Sequence, residues 1–206
     1  ESPALIQKLA RIVYWHTRRH WQTVPECVEF SAEFLYRPRP GSCTFENAEF
    51  RTAMHFDAHG ARLTPVPAAP SVPSPPKPRI VIVGDSHAMG WGVEDDETFA
   101  SVLASEFGYP TLNLGVSSYS TPRELASIRR DADLRADDII LIQYCDNDLK
   151  ENQAFAQTLQ TRPYAAKELE SLIAYRPTPA KALPIAGLLL RMLSQDLVNA
   201  VFLKLM

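Results

Sequence analysis

Hydrophobic residues along this chain recur with different periods in different stretches. Near the start they follow helical spacing. Leu5, Leu9, Ile12 and Val13 share one face, which predicts a helix over residues 3–21. Residues 29–62 read instead as short strands and turns. Tyr36 to Gly41 is turn-rich and residues 44–56 alternate loosely. From Arg79 onward, compact apolar runs alternate with helical patterns. A buried strand is predicted over residues 79–83, a helix over 98–107 and a second strand over 111–114. A helix over 122–130 follows, with Thr121 as its N-cap. Residues 138–144 predict a third strand, apolar enough to be buried on both faces. A β-α-β-α-β alternation of this kind predicts a parallel sheet with crossover helices. Beyond Asp148 the pattern is mostly helical, broken by Pro163, Pro177, Pro179 and Pro184.

Between these two regions lies a Pro/Ala/Ser stretch, residues 64–78, in which proline favours an extended, unpaired chain. The expected organisation is an N-terminal appendage over 1–63, a linker over 64–78 and an α/β domain over 79–206. The chain opens on Glu1 without an initiator methionine, which reads as a processed or trimmed start. Arg11, Arg18, Arg19 and His20 cluster toward the end of the first helix. That charge suits a helix C-terminus, and suits equally a stub following a membrane anchor upstream of residue 1. In the tail, residues 183–206, Arg191, Asp196 and Lys204 interrupt the apolar run. The tail therefore reads as an amphipathic core-packing helix, with a membrane-surface helix as the alternative.

Composition adds a few limits. At 206 residues the chain can bury one sizeable core. A formal net charge of -3 gives no reason to expect a nucleic-acid partner. Cys27, Cys43 and Cys145 show no C-x-x-C spacing, so neither a metal nor a cofactor is implied. Cys27 and Cys43 flank a short polar, proline-rich loop. They would pair in an oxidising compartment or remain two independent thiols. His55 and His59 lie four apart, but in a strand-like or turn context that does not place both rings on one side as a metal pair requires.

The chemistry gathers at the ends of the three predicted strands. These read Gly84-Asp85-Ser86, then Asn113-Leu114-Gly115-Val116-Ser117, then Cys145-Asp146-Asn147-Asp148. In a parallel sheet such C-terminal ends lie along one edge, where ligands bind. Acyl transfer needs a nucleophile, and donors aimed at the oxyanion of the tetrahedral intermediate. Ser86 is the candidate nucleophile, and the candidate donors are the N–H groups of Ser86 and Gly115 and the side-chain amide of Asn147. Each cluster alone is also an ordinary turn; their order at successive strand ends favours a site. Nothing fits a dinucleotide or P-loop fingerprint.

These residues resemble the blocks of the SGNH/GDSL hydrolase superfamily. GDSHAMGWGV resembles the first block and NLGVSSYST the second. CDND resembles the third, with Cys145 where that family has glycine. The resemblance covers about residues 79–152. GWGVEDDETF with DNDLKEN is similar to an exported bacterial branch carrying an N-terminal appendage. It implies a flavodoxin-like three-layer α/β/α sandwich with a parallel sheet. It also implies Ser86 as nucleophile and Ser86, Gly115 and Asn147 as oxyanion hole, with Asp85 and Asp148 in support. The implied activity is a serine esterase or O-acyltransferase acting on a small-molecule, glycan or lipid ester, located outside the cytoplasm. The family's fourth block, D-x-x-H, has no counterpart, because the last histidine is His87. The sheet is accordingly expected to be incomplete at its C-terminal end, the chain stopping before that block. The alternative is a catalytically inactive SGNH-like module that binds a glycan or a protein partner. The acyl group, the acceptor and the oligomeric state are not legible in the sequence.

Overall fold

The computed structural model describes residues 20–47, 49–65, 75–145, 148–159 and 162–174. They form a mixed α/β architecture with both parallel and antiparallel sheets. The helices predicted over residues 3–21 and 183–206 fall outside these residues, except that Trp21–Thr23 forms a short 3-10 turn. Among the described residues, no helix is long and apolar enough to cross a membrane.

Two antiparallel hairpins come first. Strands β1 (Val28–Ser31) and β2 (Leu35–Pro38) pair with each other, as do β3 (Gly41–Glu46) and β4 (Arg51–Phe56). The second hairpin has a clear two-residue period. Cys43, Phe45, Thr52, Met54 and Phe56 point inward, while Ser42, Thr44, Glu46 and His55 face out. The buried side joins Trp21, Phe34, Met89, Val116 and Tyr119 in one apolar cluster. Tyr36 and Tyr119 lock this cluster by exchange. The Tyr36 hydroxyl donates to the Ser117 carbonyl and the Tyr119 hydroxyl to the Tyr36 carbonyl, each at 2.7 Å.

The second layer is a parallel sheet with β5 (Ile80–Val83) between β6 (Thr111–Asn113) and β7 (Ile139–Ile142). The helices among the described residues are α1 (Ser86–Met89), α2 (Phe99–Ser105), α3 (Thr121–Asp131), α4 (Asp148–Leu159) and α5 (Ala166–Ala174), the last packing against β1 and β2 rather than the parallel sheet. All four residues of β5 are buried, and they divide by face. Val81 and Val83 pack with Leu114, Ile128 and Ala132, whereas Ile80 and Ile82 pack with Ala88 and Ala100. That is why the run is apolar throughout rather than alternating. Arg79 fixes the start of β5 against that of β7. Its Nε and Nη2 reach the Asp138 carboxylate at 3.0 and 2.6 Å, holding that carboxyl below its usual range.

Arg62 connects the hairpins to the parallel sheet. It bridges Phe56 on one side and Asn113 on the other, its N–H donating to the Asn113 carbonyl at 2.9 Å. Thr64 continues alongside Thr111, the two hydroxyls lying 3.1 Å apart.

Two expectations need correction. The third strand is shorter than residues 138–144 and is not buried on both faces. Ile139, Ile140 and Ile142 are 47%, 43% and 47% exposed. Among the described residues β7 pairs with β5 alone, and an apolar run does not specify what covers it. Thr121 is not the N-cap of α3 but its first residue, with Ser120 at the cap position. The cap bond comes from outside the helix, because Asn152 Oδ1 accepts the Thr121 N–H at 2.8 Å.

Candidate functional site

The chain leaves β5 at Gly84 and turns at once into α1. Asp85 is the N-cap of that helix, its Oδ1 accepting the His87 N–H at 2.9 Å. Ser86 is thus the first helical residue, directly beyond the C-terminal end of the central strand. Among the described residues its hydroxyl makes no hydrogen bond, whereas its carbonyl accepts from Gly90 and Trp91.

Gly84 and Gly115 are both sites of close approach. A Cβ on Gly84 would lie 2.7 Å from Ala88 Cβ and 2.8 Å from the Gln143 carbonyl oxygen. A Cβ on Gly115 would lie 2.4 Å from the Met89 nitrogen and 2.6 Å from the Ala88 carbonyl carbon. The loop after β6 is therefore pressed against the helix that begins with Ser86. Asn113 cements the contact: its Nδ2 donates to the Ala88 carbonyl and its Oδ1 accepts the Gly115 N–H, each at 3.0 Å. The Gly115 N–H is thus engaged by Asn113 in this state. Gln143, beyond β7, plays the matching part on the other side. Its Oε1 accepts the Ala88 N–H at 3.2 Å and its Nε2 reaches Cys145 Sγ at 2.9 Å.

The three strand ends therefore converge on α1. Ser86, Gly115 and Cys145 are brought around it, and Asp148 opens α4 beside Cys145, whose N–H donates to Asp148 Oδ2 at 2.7 Å. Asp146 and Asn147 lie outside the described residues, so the expected Asn147 donor is not placed.

The neighbourhood is strongly acidic. Asp85, Asp148 and Glu124 of α3 are all buried. Glu124 is 1% exposed, and neither carboxyl oxygen has a hydrogen-bond partner among the described residues. Burial first, then the charges of Asp148, Asp85 and Glu151, push its carboxyl up to about 8. Burial likewise raises the Cys145 thiol, aided by Asp85 and Asp148, against a lowering bond from Gln143.

Below the site, Arg62 holds α1 from its C-terminal end. Its fully buried guanidinium donates to the carbonyls of Met89 at 2.8 Å, Gly90 at 2.7 Å and Val93 at 2.6 Å, and pairs with Asp95 at 2.8 Å. Sequence reading passes over Arg62, Glu124 and Gln143 as site-building residues, and names Asn113 only as part of a strand-end cluster. A polar residue inside or just beyond an apolar strand was the available signal for Asn113 and Gln143.

The cysteines separate as their spacing allows. Cys27 and Cys43 form a disulfide with Cα atoms 5.1 Å apart, while Cys145 is free. His55 does not join His59; its Nδ1 lies 2.5 Å from Asp95 Oδ2. A separate cleft of about 320 Å³ is lined by Tyr36, Ser118, Arg123, Glu151, Phe155 and Tyr164. The Arg123 guanidinium sits 4.6 Å from the Phe155 ring centre at its wall. The chain was compared with protein-family models and with curated proteins, and it matches none of them.

Proposed function

We propose that this chain carries the acyl-transfer half-site of an SGNH-type serine esterase or O-acyltransferase, with Ser86 as the nucleophile. The observation that carries the reading is the convergence of Gly84-Asp85-Ser86 and Gly115 on α1 at the C-terminal end of β5. A serine hydroxyl without a hydrogen-bond partner among the described residues, at the first turn of a helix, stands where attack on an ester carbonyl needs it. In the acylation step the Ser86 oxygen bonds to the carbonyl carbon, its proton passes to a base, and the carbonyl–alkoxy bond breaks as the base hands that proton to the leaving oxygen, so that the alcohol departs. Water then gives hydrolysis, whereas a sugar or lipid hydroxyl gives transfer.

The division of β5 between two helical faces supports a flavodoxin-like sandwich as the finer fold. Ser86 N–H and the Asn147 amide are the proposed oxyanion donors, with Gly115 joining if its N–H is released from Asn113. The Cys27–Cys43 disulfide supports an oxidising, extracytoplasmic location.

The base is the open member of the set. The sequence holds no histidine beyond His87, and a serine without a base has little nucleophilic power at neutral pH. The second reading is a silent relative that binds a glycan or protein. An acetyl-ester assay separates the two. Under the enzyme reading the 206-residue chain gives slow turnover that Ser86→Ala abolishes. Turnover that is indifferent to Ser86→Ala refutes it.

A further inference from the structure

Beside the serine lies a second constellation, which shares Asp85 with the acyl-transfer site. Asp85, His87 and Cys145 each present a ligand atom, and these atoms all lie within 4.8 Å of one another. They come from two places in the sequence, 85–87 after β5 and 145 after β7, and only the pairing of those strands unites them. We propose that Asp85, His87 and Cys145 form a binding site for a zinc-class divalent cation, with a fourth position open to water or an anionic ligand.

The donor set is one carboxylate oxygen, one imidazole nitrogen and one sulfur. That mixture suits a borderline cation such as Zn²⁺ and is poor for Mg²⁺ or Ca²⁺, which take oxygen shells. Three protein ligands with one open position is the arrangement of reactive rather than purely structural zinc sites. With metal bonds of about 2.0–2.3 Å, tetrahedral ligand atoms sit roughly 3.3–3.7 Å apart, so the three groups need to close by about 1 Å. His87 is exposed, whereas Asp85 is buried and fixed as the α1 cap.

Two further features prepare the site. The first is orientation. Asp85 Oδ1 accepts the His87 N–H, and the Asp85 carboxylate also reaches the Cys145 thiol, whose proton a cation would replace. Gln143 Nε2 holds the Cys145 sulfur at 2.9 Å and the Cys145 N–H is held by Asp148, so the thiol is aimed by groups outside the ligand set. The second is charge. Asp85 and Asp148 are both buried carboxyls beside Cys145, and a cation bound there would sit among them. Binding displaces the Cys145 proton to solvent and puts a metal–sulfur bond in its place. This inference stands whether or not Ser86 is a nucleophile, because its readout is metal binding.

The test is titration of the metal-free 206-residue chain with Co²⁺ and then Zn²⁺, without thiol reductant, so that Cys145 is the only free thiol. One equivalent of Co²⁺ should give a thiolate-to-cobalt charge-transfer band. Equimolar Zn²⁺ should bleach it, as expected from the affinity order of these ions. Cys145→Ser should remove the band, and His87→Ala, at an exposed position, should weaken binding by roughly tenfold or more while circular dichroism shows an intact fold. Ser86→Ala should bind as the parent does. No band at millimolar Co²⁺, a band that survives Cys145→Ser, or affinity unchanged in His87→Ala would overturn the assignment.

Discussion

Gly115→Ala is the perturbation for which the structure gives the clearest magnitude. The added Cβ would stand 2.4 Å from the Met89 nitrogen, 2.6 Å from the Ala88 carbonyl carbon and 2.8 Å from Ala88 Cβ. Ordinary contact begins near 3.4 Å, so one of two backbones must retreat by about 1 Å. Neither retreats cheaply. The Met89 N–H is bonded to the Asp85 carbonyl at 3.0 Å, and the Met89 carbonyl accepts from buried Arg62 at 2.8 Å. On the other side, Gly115 is tied to Asn113, which also holds Ala88. Overpacking in a tight core costs about 1–3 kcal/mol, and a clash with bonded backbone belongs at the top of that range. A loss of about 3 kcal/mol lowers the melting temperature by roughly 6–12 °C for a chain of this size. Gly41→Ala is the matched control. Nothing lies within 4 Å of its Cβ, so only its φ of +105° resists, at a cost of about 1 kcal/mol. Urea unfolding followed by tryptophan fluorescence measures both variants. The reasoning is refuted if Gly115→Ala costs no more than Gly41→Ala.

Three further outcomes are expected. Glu124 keeps its proton in the native state up to about pH 8 but loses it near 4.5 when unfolded, so it makes stability fall by about 1.4 kcal/mol per pH unit across that window and leaves it flat above. Glu124→Gln should remove this slope in unfolding curves taken at several pH values, becoming more stable than the parent at the alkaline end; an unchanged slope would assign the pH dependence elsewhere. Arg62→Met strands the carbonyls of Met89, Gly90 and Val93, the first two in buried contacts, and half of an ion pair, and should cost about 3–5 kcal/mol by chemical denaturation; a loss under 1 kcal/mol would show that water replaces the guanidinium. Replacing both Cys27 and Cys43 by alanine opens a loop spanning a sequence separation of 16 and should cost about 3 kcal/mol, seen as an equal shift when the parent is reduced.

The parts of the fold legible in the sequence were those set by local rules. The run Ile80–Val83 is apolar at every position because both of its faces are covered, and Gly84-Asp85-Ser86 then breaks the strand with turn formers that also cap α1. The alternation of Cys43, Phe45, Met54 and Phe56 is likewise a direct imprint of one buried face. What escaped was set by long-range partners. β7 is as apolar as β5, yet three of its four residues are exposed, since apolarity records a preference and not the presence of a neighbour. Thr121 has the chemistry of a cap, but Asn152 from α4 supplies the bond. Arg62 looks like a surface charge beside a turn; its burial depends on the carbonyls of Met89, Gly90 and Val93, some thirty residues downstream. The grouping of Cys145 with Asp85 and His87 is invisible until β5 and β7 pair.

The central claim is that Ser86 is the group that takes the acyl chain, and mapping the acylated residue tests it most directly. The chain is exposed to an activated acetyl ester, quenched in acid and digested, and the modified peptide is sequenced by mass spectrometry. The account predicts acetyl on Ser86, absent in Ser86→Ala and diminished in Gly115→Ala. Acetyl on Cys145 or scattered lysines, with Ser86 unmodified, would contradict it.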